Sequence, residues 1–182
     1  SIFDFPSKAD HIRHCLAAAA GGALELGISK SKILDEIREI HQDTFRHKIL
    51  KSKNRFSIID DSYNSSYESL SAALETLKET KYNGKASALI GDIFELGDKS
   101  DQMHYDIGKL LSAENFKYIF LVGENIKSTK MGAIDSGFNE DCIFTYSLDT
   151  PRQIIAEQIL NKLDTEDVLL AKASHGVNLK SI

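Results

Sequence analysis

Four apolar runs punctuate this chain, and each ends abruptly in a polar or glycine-bearing turn. Residues 55 to 60 break into Asp60-Asp61-Ser62-Tyr63-Asn64, and residues 85 to 90 into Gly91-Asp92-Ile93-Phe94-Glu95-Leu96-Gly97. Residues 118 to 122 stop at Gly123-Glu124-Asn125, and residues 167 to 171 at Lys172-Ala173-Ser174-His175-Gly176. Between the runs lie stretches with the helical period: 66 to 80, with Leu70, Ala73, Leu74 and Leu77 in phase, then 101 to 111 and 126 to 136. A fifth run, 143 to 146, precedes a helix that Pro151 opens in its first turn. Such alternation predicts an α/β fold, a Rossmann-like, mostly parallel sheet with helices on both faces. Right-handed crossovers bring all four turns to one rim, and the carboxyl edge of an open sheet is where ligands bind.

The first quarter of the chain reads differently. Residues 1 to 6 alternate like the last strand of a larger body, and 10 to 26 form a helix with Leu16, Ala20, Ala23 and Leu24 on one face. Gly27 stops it, and Ser29 caps a second helix with Ile33, Ile37 and Ile40 in line. A boundary comes next, near residues 40 to 46. Residues 46 to 50 then form a strand joined to the 55–60 strand by the basic turn Lys51-Ser52-Lys53-Asn54. The 182 residues suit one domain of ordinary size or one plus a fragment, and the start at Ser1, in mid-pattern, fits a piece of a longer protein, a processed terminus being the alternative. A net charge of -5 argues against general nucleic-acid binding. No run approaches the roughly 20 apolar residues of a membrane span, and no signal peptide pattern opens the chain. Cys15 and Cys142 read as reduced thiols of a cytoplasmic protein.

A rim carrying carboxylates, hydroxyls, a lysine and a histidine can accept hydrogen bonds from ribose hydroxyls and meet an anion. Each component also has a purely structural alternative. Asp60 and Asp61 are turn formers that serve equally well to cap the next turn. The 172–175 segment also suits a solvated turn, and His104 a satisfied helical histidine rather than a base. Asp10, His11 and His14 share helical spacing, yet nothing nearby completes a metal set. Neither a Gly-x-x-x-x-Gly-Lys-Ser/Thr loop nor a Gly-x-Gly-x-x-Gly is present, so the chain has no standard triphosphate cradle of its own.

Three segments in this order and spacing resemble the Mur ligase family: Asp60 to Asn64; Gly91 to Gly97 with His104 and Gly108; and Asp167 to Ser174. The similarity is greatest to the member that adds D-alanyl-D-alanine. His11 to Ala18 resembles the end of that family's central ATPase domain. The resemblance implies that residues 1–41 are the tail of the central domain and 42–182 the C-terminal domain. It implies an ATP-dependent ligase of peptidoglycan precursor synthesis, acting on UDP-N-acetylmuramoyl-tripeptide and D-alanyl-D-alanine in the cytoplasm. The missing N-terminal and central domains would supply the phosphate loop and the magnesium ligands, so the fragment alone would be inactive and would hold no catalytic residue.

By the same resemblance, Asp61 meets the ATP ribose, with Tyr63 and Asn64 beside it. Arg46 reaches the phosphates, His11 and His14 lie near the adenine, and Lys172, Ser174 and His175 face the substrate. Replacing Asp61 by Ala should then weaken ATP binding and leave the fold intact. The chain departs from the family pattern at several places. His11 and His14 replace two asparagines, Asp10 a histidine, Ser66-Tyr67 an Asn-Pro, Ala173 a glycine, His175 an arginine and Lys180 an acidic residue. A non-catalytic α/β module that binds a nucleotide or a protein is the alternative from another class; a small stand-alone Rossmann-like enzyme would need the missing glycine loop.

Overall fold

A computed structural model describes residues 10–39, 48–51, 56–80, 82–179 and 182. The chain divides into two compact units, Ser1–Arg46 and His47–Ile182. The strand expected in residues 1 to 6, Ile40 and residues 52 to 54 of the basic turn lie outside the described residues.

The first unit contains α1 (Asp10–Glu25) and α2 (Lys30–Glu39). Gly27 stops α1 in the left-handed conformation at φ +81. Its N–H donates to Leu24 O and that of Ile28 to Ala23 O, so the last carbonyls of α1 are satisfied. Ser29 caps α2 by accepting from the Lys32 N–H at 3.4 Å. Ala20 packs with Ile33 and Ile37, and Ala23 covers them. Leu24, expected on that face, is exposed.

The second unit is a six-stranded sheet in the order β1-β2-β6-β3-β4-β5. Its strands are β1 (Lys48–Lys51), β2 (Ser57–Asp60), β3 (Ala86–Gly91), β4 (Ile119–Val122), β5 (Ile143–Tyr146) and β6 (Val168–Lys172). Five are mutually parallel, and β1 pairs antiparallel with β2. Between them run α3 (Tyr67–Glu79), α4 (Ser100–Ser112), α5 (Ile126–Asp135) and α6 (Arg152–Lys162). Pro151 precedes α6 as its N-cap instead of occupying its first turn.

Strand side chains alternate between the two faces. Ala88, Ile90, Ile119, Leu121, Val168 and Leu170 share one core with residues of α3, α4 and α5. Leu89, Phe120, Val122, Leu169 and Ala171 share the other with Ile155 and Ile159 of α6 and the 177–179 segment. Both faces are thus covered, which explains why the central strands read as unbroken apolar runs. Helices α4 and α5 approach at two glycines. A Cβ on Gly108 would stand 2.0 Å from Thr129 O, and one on Gly132 2.0 Å from Tyr105 O. Among the described residues, no helix is long and apolar enough to cross a membrane.

Candidate functional site

In a parallel sheet every strand leaves by the same edge, so the exits of β2, β6, β3 and β4 lie next to one another. The four turns singled out in the sequence form that edge, and buried polar contacts tie each to its neighbour.

The β2 and β6 exits are joined by an ion pair. Lys172 closes β6 as a strand residue, paired with Ile90 across β3, and is not part of the turn after it. It is 0% exposed, and its Nζ lies 2.7 Å from Asp61 Oδ2 and 3.0 Å from Asn64 O. Asp61 is 3% exposed. Its Oδ1 is buried and, among the described residues, accepts no hydrogen bond. Removing one partner of a buried pair strands the other charge, at about 3–5 kcal/mol. Asp61→Ala is therefore expected to destabilise the fold, contrary to the expectation from sequence.

Ser174 links β6 to β3. Its Oγ accepts from the Phe94 N–H at 3.0 Å and its N–H donates to Asp92 O at 3.1 Å. The side chain is 4% exposed, so this hydroxyl is turned inward. Asp92 then links β3 to β4. One carboxylate oxygen accepts from Glu124 N at 2.8 Å, Asn125 N at 3.1 Å and Asn125 Nδ2 at 3.2 Å. Gly123, at φ +157, lets the chain pass: a Cβ there would meet the Asp92 carboxylate at 2.2 Å. His104 sits beneath. Its Nε2 accepts from the Ile93 N–H at 3.2 Å, and Nδ1 lies 2.8 Å from Ser100 O, a pattern that requires the Nδ1–H tautomer. With both nitrogens engaged it is a satisfied core histidine, the structural alternative of the sequence reading.

The two acidic residues of the first turn divide their roles. Asp60 accepts from the Ser62 N–H at 3.0 Å and from the Ser62 hydroxyl, an Asx turn. Asp61 instead enters the ion pair. The Ser66-Tyr67 departure is structurally mild. Ser66 caps α3 in a reciprocal box with Ser69, so one good capping residue replaces another.

Outward faces a smaller set. Tyr63 is 57% exposed and meets His175 edge-on, with ring centroids 5.8 Å apart. Asn64 is exposed, and its Oδ1 accepts from the Ser65 N–H at 2.9 Å. Gly176 lies against Phe94, where a Cβ would stand 2.8 Å from the ring. Ala173 and Gly91 share one space: a Cβ on Gly91 would lie 2.6 Å from that of Ala173 and 2.8 Å from Val177 Cγ1. At the far end Tyr146 donates to Gln158 Oε1 at 2.8 Å, and burial pushes its phenol up to about 12.

Of the remaining sequence-derived candidates, His14 is exposed on α1. His11 lies in α1 with its side chain outside the described residues, as is Arg46 altogether. Among the described residues, no three His, Cys, Asp or Glu side chains group to hold a metal ion. Sequence reasoning missed Asp92 as the central brace, because Gly-Asp is a common strand exit. The readable signal was His104, in phase with the buried Ile107 and Leu111 and hence turned toward that exit. It also missed Arg152, whose Nη2 donates to Val177 O at 2.7 Å while Nη1 is buried without an acceptor among the described residues.

The topology and the edge define a class: a doubly covered α/β domain that presents a braced, carboxylate-bearing edge without a glycine-rich phosphate cradle. Residues 45–175 match the family model for the Mur ligase glutamate ligase domain, and the chain belongs to the Mur ligase family. It is 27% identical over 183 residues to the UDP-N-acetylmuramoyl-tripeptide–D-alanyl-D-alanine ligase of Bacillus subtilis (strain 168), covering 100% of this chain and 39% of that protein. A crystal structure of MurF from Acinetobacter baumannii superposes with a TM-score of 0.74 at 25% identity, over 98% of this chain and 38% of that one. The fold is also that of the MurF ligase from Thermotoga maritima in complex with ADP, at TM-score 0.64 and 22% identity over 91% of this chain and 35% of that one. The chain thus spans less than two-fifths of the length of these relatives.

Proposed function

We propose that this chain is the C-terminal portion of an ATP-dependent ligase that joins D-alanyl-D-alanine to UDP-N-acetylmuramoyl-tripeptide in peptidoglycan precursor synthesis. Residues 1–41 would be the tail of its central ATPase domain and 42–182 its C-terminal domain. In such a reaction the tripeptide carboxylate takes the γ-phosphoryl group of ATP, the dipeptide amine attacks the acyl phosphate, and inorganic phosphate leaves with the amide formed. The work is one of alignment and charge placement, and a domain that closes over a bound nucleotide supplies it. ATP and UDP-linked substrates place such an enzyme in the cytoplasm.

The observation that carries this function is the orphan Asp61 Oδ1. A buried carboxylate oxygen without a donor costs about 1–3 kcal/mol or more, and a ribose hydroxyl supplies such a donor. Tyr63 and Asn64 border the same turn, and His175 faces Tyr63 from the segment assigned to the peptide substrate. His11, His14 and Arg46 join the nucleotide side by family resemblance alone. Magnesium belongs with the nucleotide, on ligands outside this chain; the described residues offer no set that fits it.

The decisive experiment uses the complete ligase. ATP hydrolysis should depend on both the UDP-linked tripeptide and D-alanyl-D-alanine, and Asp61→Asn should raise the KM for ATP about tenfold, the loss of one hydrogen bond to a charged acceptor. The absence of any dipeptide-dependent ATP hydrolysis would sink the ligase function and favour a non-catalytic nucleotide- or protein-binding module.

A further inference from the structure

We infer that Lys172 is a positioning residue for the nucleotide-facing carboxylate rather than a ligand of the substrate. This role presupposes the ligase function proposed above. The ammonium is fully buried at the end of β6, within reach of oxygens of one loop: Asp61 Oδ2 at 2.7 Å, Asn64 O at 3.0 Å and Asp61 O at 3.5 Å. A lysine carries three donor hydrogens and no acceptor, so it can hold Asp61 and the Asn64 carbonyl at once. A substrate carboxylate would have to displace Asp61 from a partner held in a dry interior, trading one ion pair for another.

The contacts do two things for the rim. First, Oδ2 is held by Lys172, so Oδ1 is the oxygen left to accept from a ligand, and its direction is set by the ion pair. Second, Lys172 grips the turn at both ends, through Asp61 and through the Asn64 carbonyl. The intervening Tyr63 is thereby displayed at the surface against His175. A residue on the central strand thus fixes the aim of a loop that otherwise consists of short polar side chains.

The test compares the KM for ATP with the KM for D-alanyl-D-alanine in the complete ligase, with Lys172→Met as an apolar near-isostere. The expected result is a KM for ATP raised tenfold or more and a KM for D-alanyl-D-alanine within twofold of wild type. A second variant guards against misfolding. Asp61→Asn combined with Lys172→Met removes both buried charges, and its KM for ATP should match that of Asp61→Asn alone within twofold, because Lys172 acts through Asp61. A raised dipeptide KM with unchanged ATP KM would make Lys172 a substrate ligand and overturn the inference. Fully multiplicative effects in the double variant would overturn it too. If wild-type ligase shows no dipeptide-dependent ATP turnover, the proposed function fails and this inference with it. Normal wild-type turnover with an unaffected Lys172→Met variant refutes this inference alone.

Discussion

The glycine seam between α4 and α5 offers a test in which two physical effects oppose each other. Gly132→Ala adds a methyl group 2.0 Å from Tyr105 O and 2.8 Å from Tyr105 C. Ordinary contact begins at 3.4 Å, so α4 and α5 must separate by about 1.4 Å. The obstacle is backbone, which no rotamer change relieves. In favour of the variant, alanine exceeds glycine in helix propensity by about 1 kcal/mol. Against it, overpacking costs about 1–3 kcal/mol, and a gap of only ~0.5–1 Å already forfeits a quarter to a half of each dispersion contact along a seam. A displacement beyond that range places the penalty near 3 kcal/mol, for a net destabilisation of about 2 kcal/mol. With a urea m-value of ~2 kcal/mol/M, the unfolding midpoint should fall by about 1 M. Gly108→Ala, 2.0 Å from Thr129 O, should behave alike. Gly21→Ala is the control: the same change on α1, where no described atom lies within 4 Å, should raise helicity by circular dichroism. A Gly132→Ala midpoint equal to or above wild type would mean that propensity wins and that the seam is not in contact.

Two further predictions concern the buried carboxylates. Asp92→Asn keeps an oxygen for Glu124 and Asn125 and should cost about 1 kcal/mol. Asp92→Ala leaves two backbone N–H groups without an acceptor, at about 1–3 kcal/mol each, and should cost 3 kcal/mol or more; equal losses in thermal unfolding would refute the brace. Asp167, at the opposite edge, is buried, which raises its pKa. Hydrogen bonds from Lys85 N, Asp164 N and Lys117 Nζ outweigh that and hold it below the ordinary carboxylate value. The folded state therefore binds fewer protons than the unfolded state, and stability rises with pH through this window. The contribution is present above about pH 5, declines from the ordinary value of roughly 3.9 and is lost as pH falls through the lower folded value; Asp167→Asn should flatten the urea midpoint between pH 5 and 3, and an unchanged slope would remove Asp167 from that role.

The order of elements was legible because the fold repeats one signal: an apolar run, a polar exit, a helical period. Element ends were mostly read to within a residue or two, since Gly27, Ser29 and Ser66 announce caps chemically. The shortfalls have physical reasons. Lys172 read as a turn residue because a charged side chain after an apolar run looks like a strand exit, and nothing local reveals a counter-charge 111 positions away in the sequence at Asp61. Ser174 was read as ligand-facing for a like reason: its hydroxyl serves Phe94, across the sheet edge. Side-chain direction at a strand exit is set by neighbouring strands, and strand order is a tertiary property. Tyr63 and His175 were identified individually, but their edge-on meeting depends on β2 and β6 being adjacent.

The shared space between Gly91 and Ala173 couples those two sites. One methyl fits there, and either residue 91 at the end of β3 or residue 173 just past β6 could carry it, provided Val177 yields. A chimera that transplanted the last turn from a relative with glycine after the lysine would leave a hole unless residue 91 changed in the same step. Sequence comparison that scores the positions separately would miss that both draw on the same few cubic ångströms beside Val177.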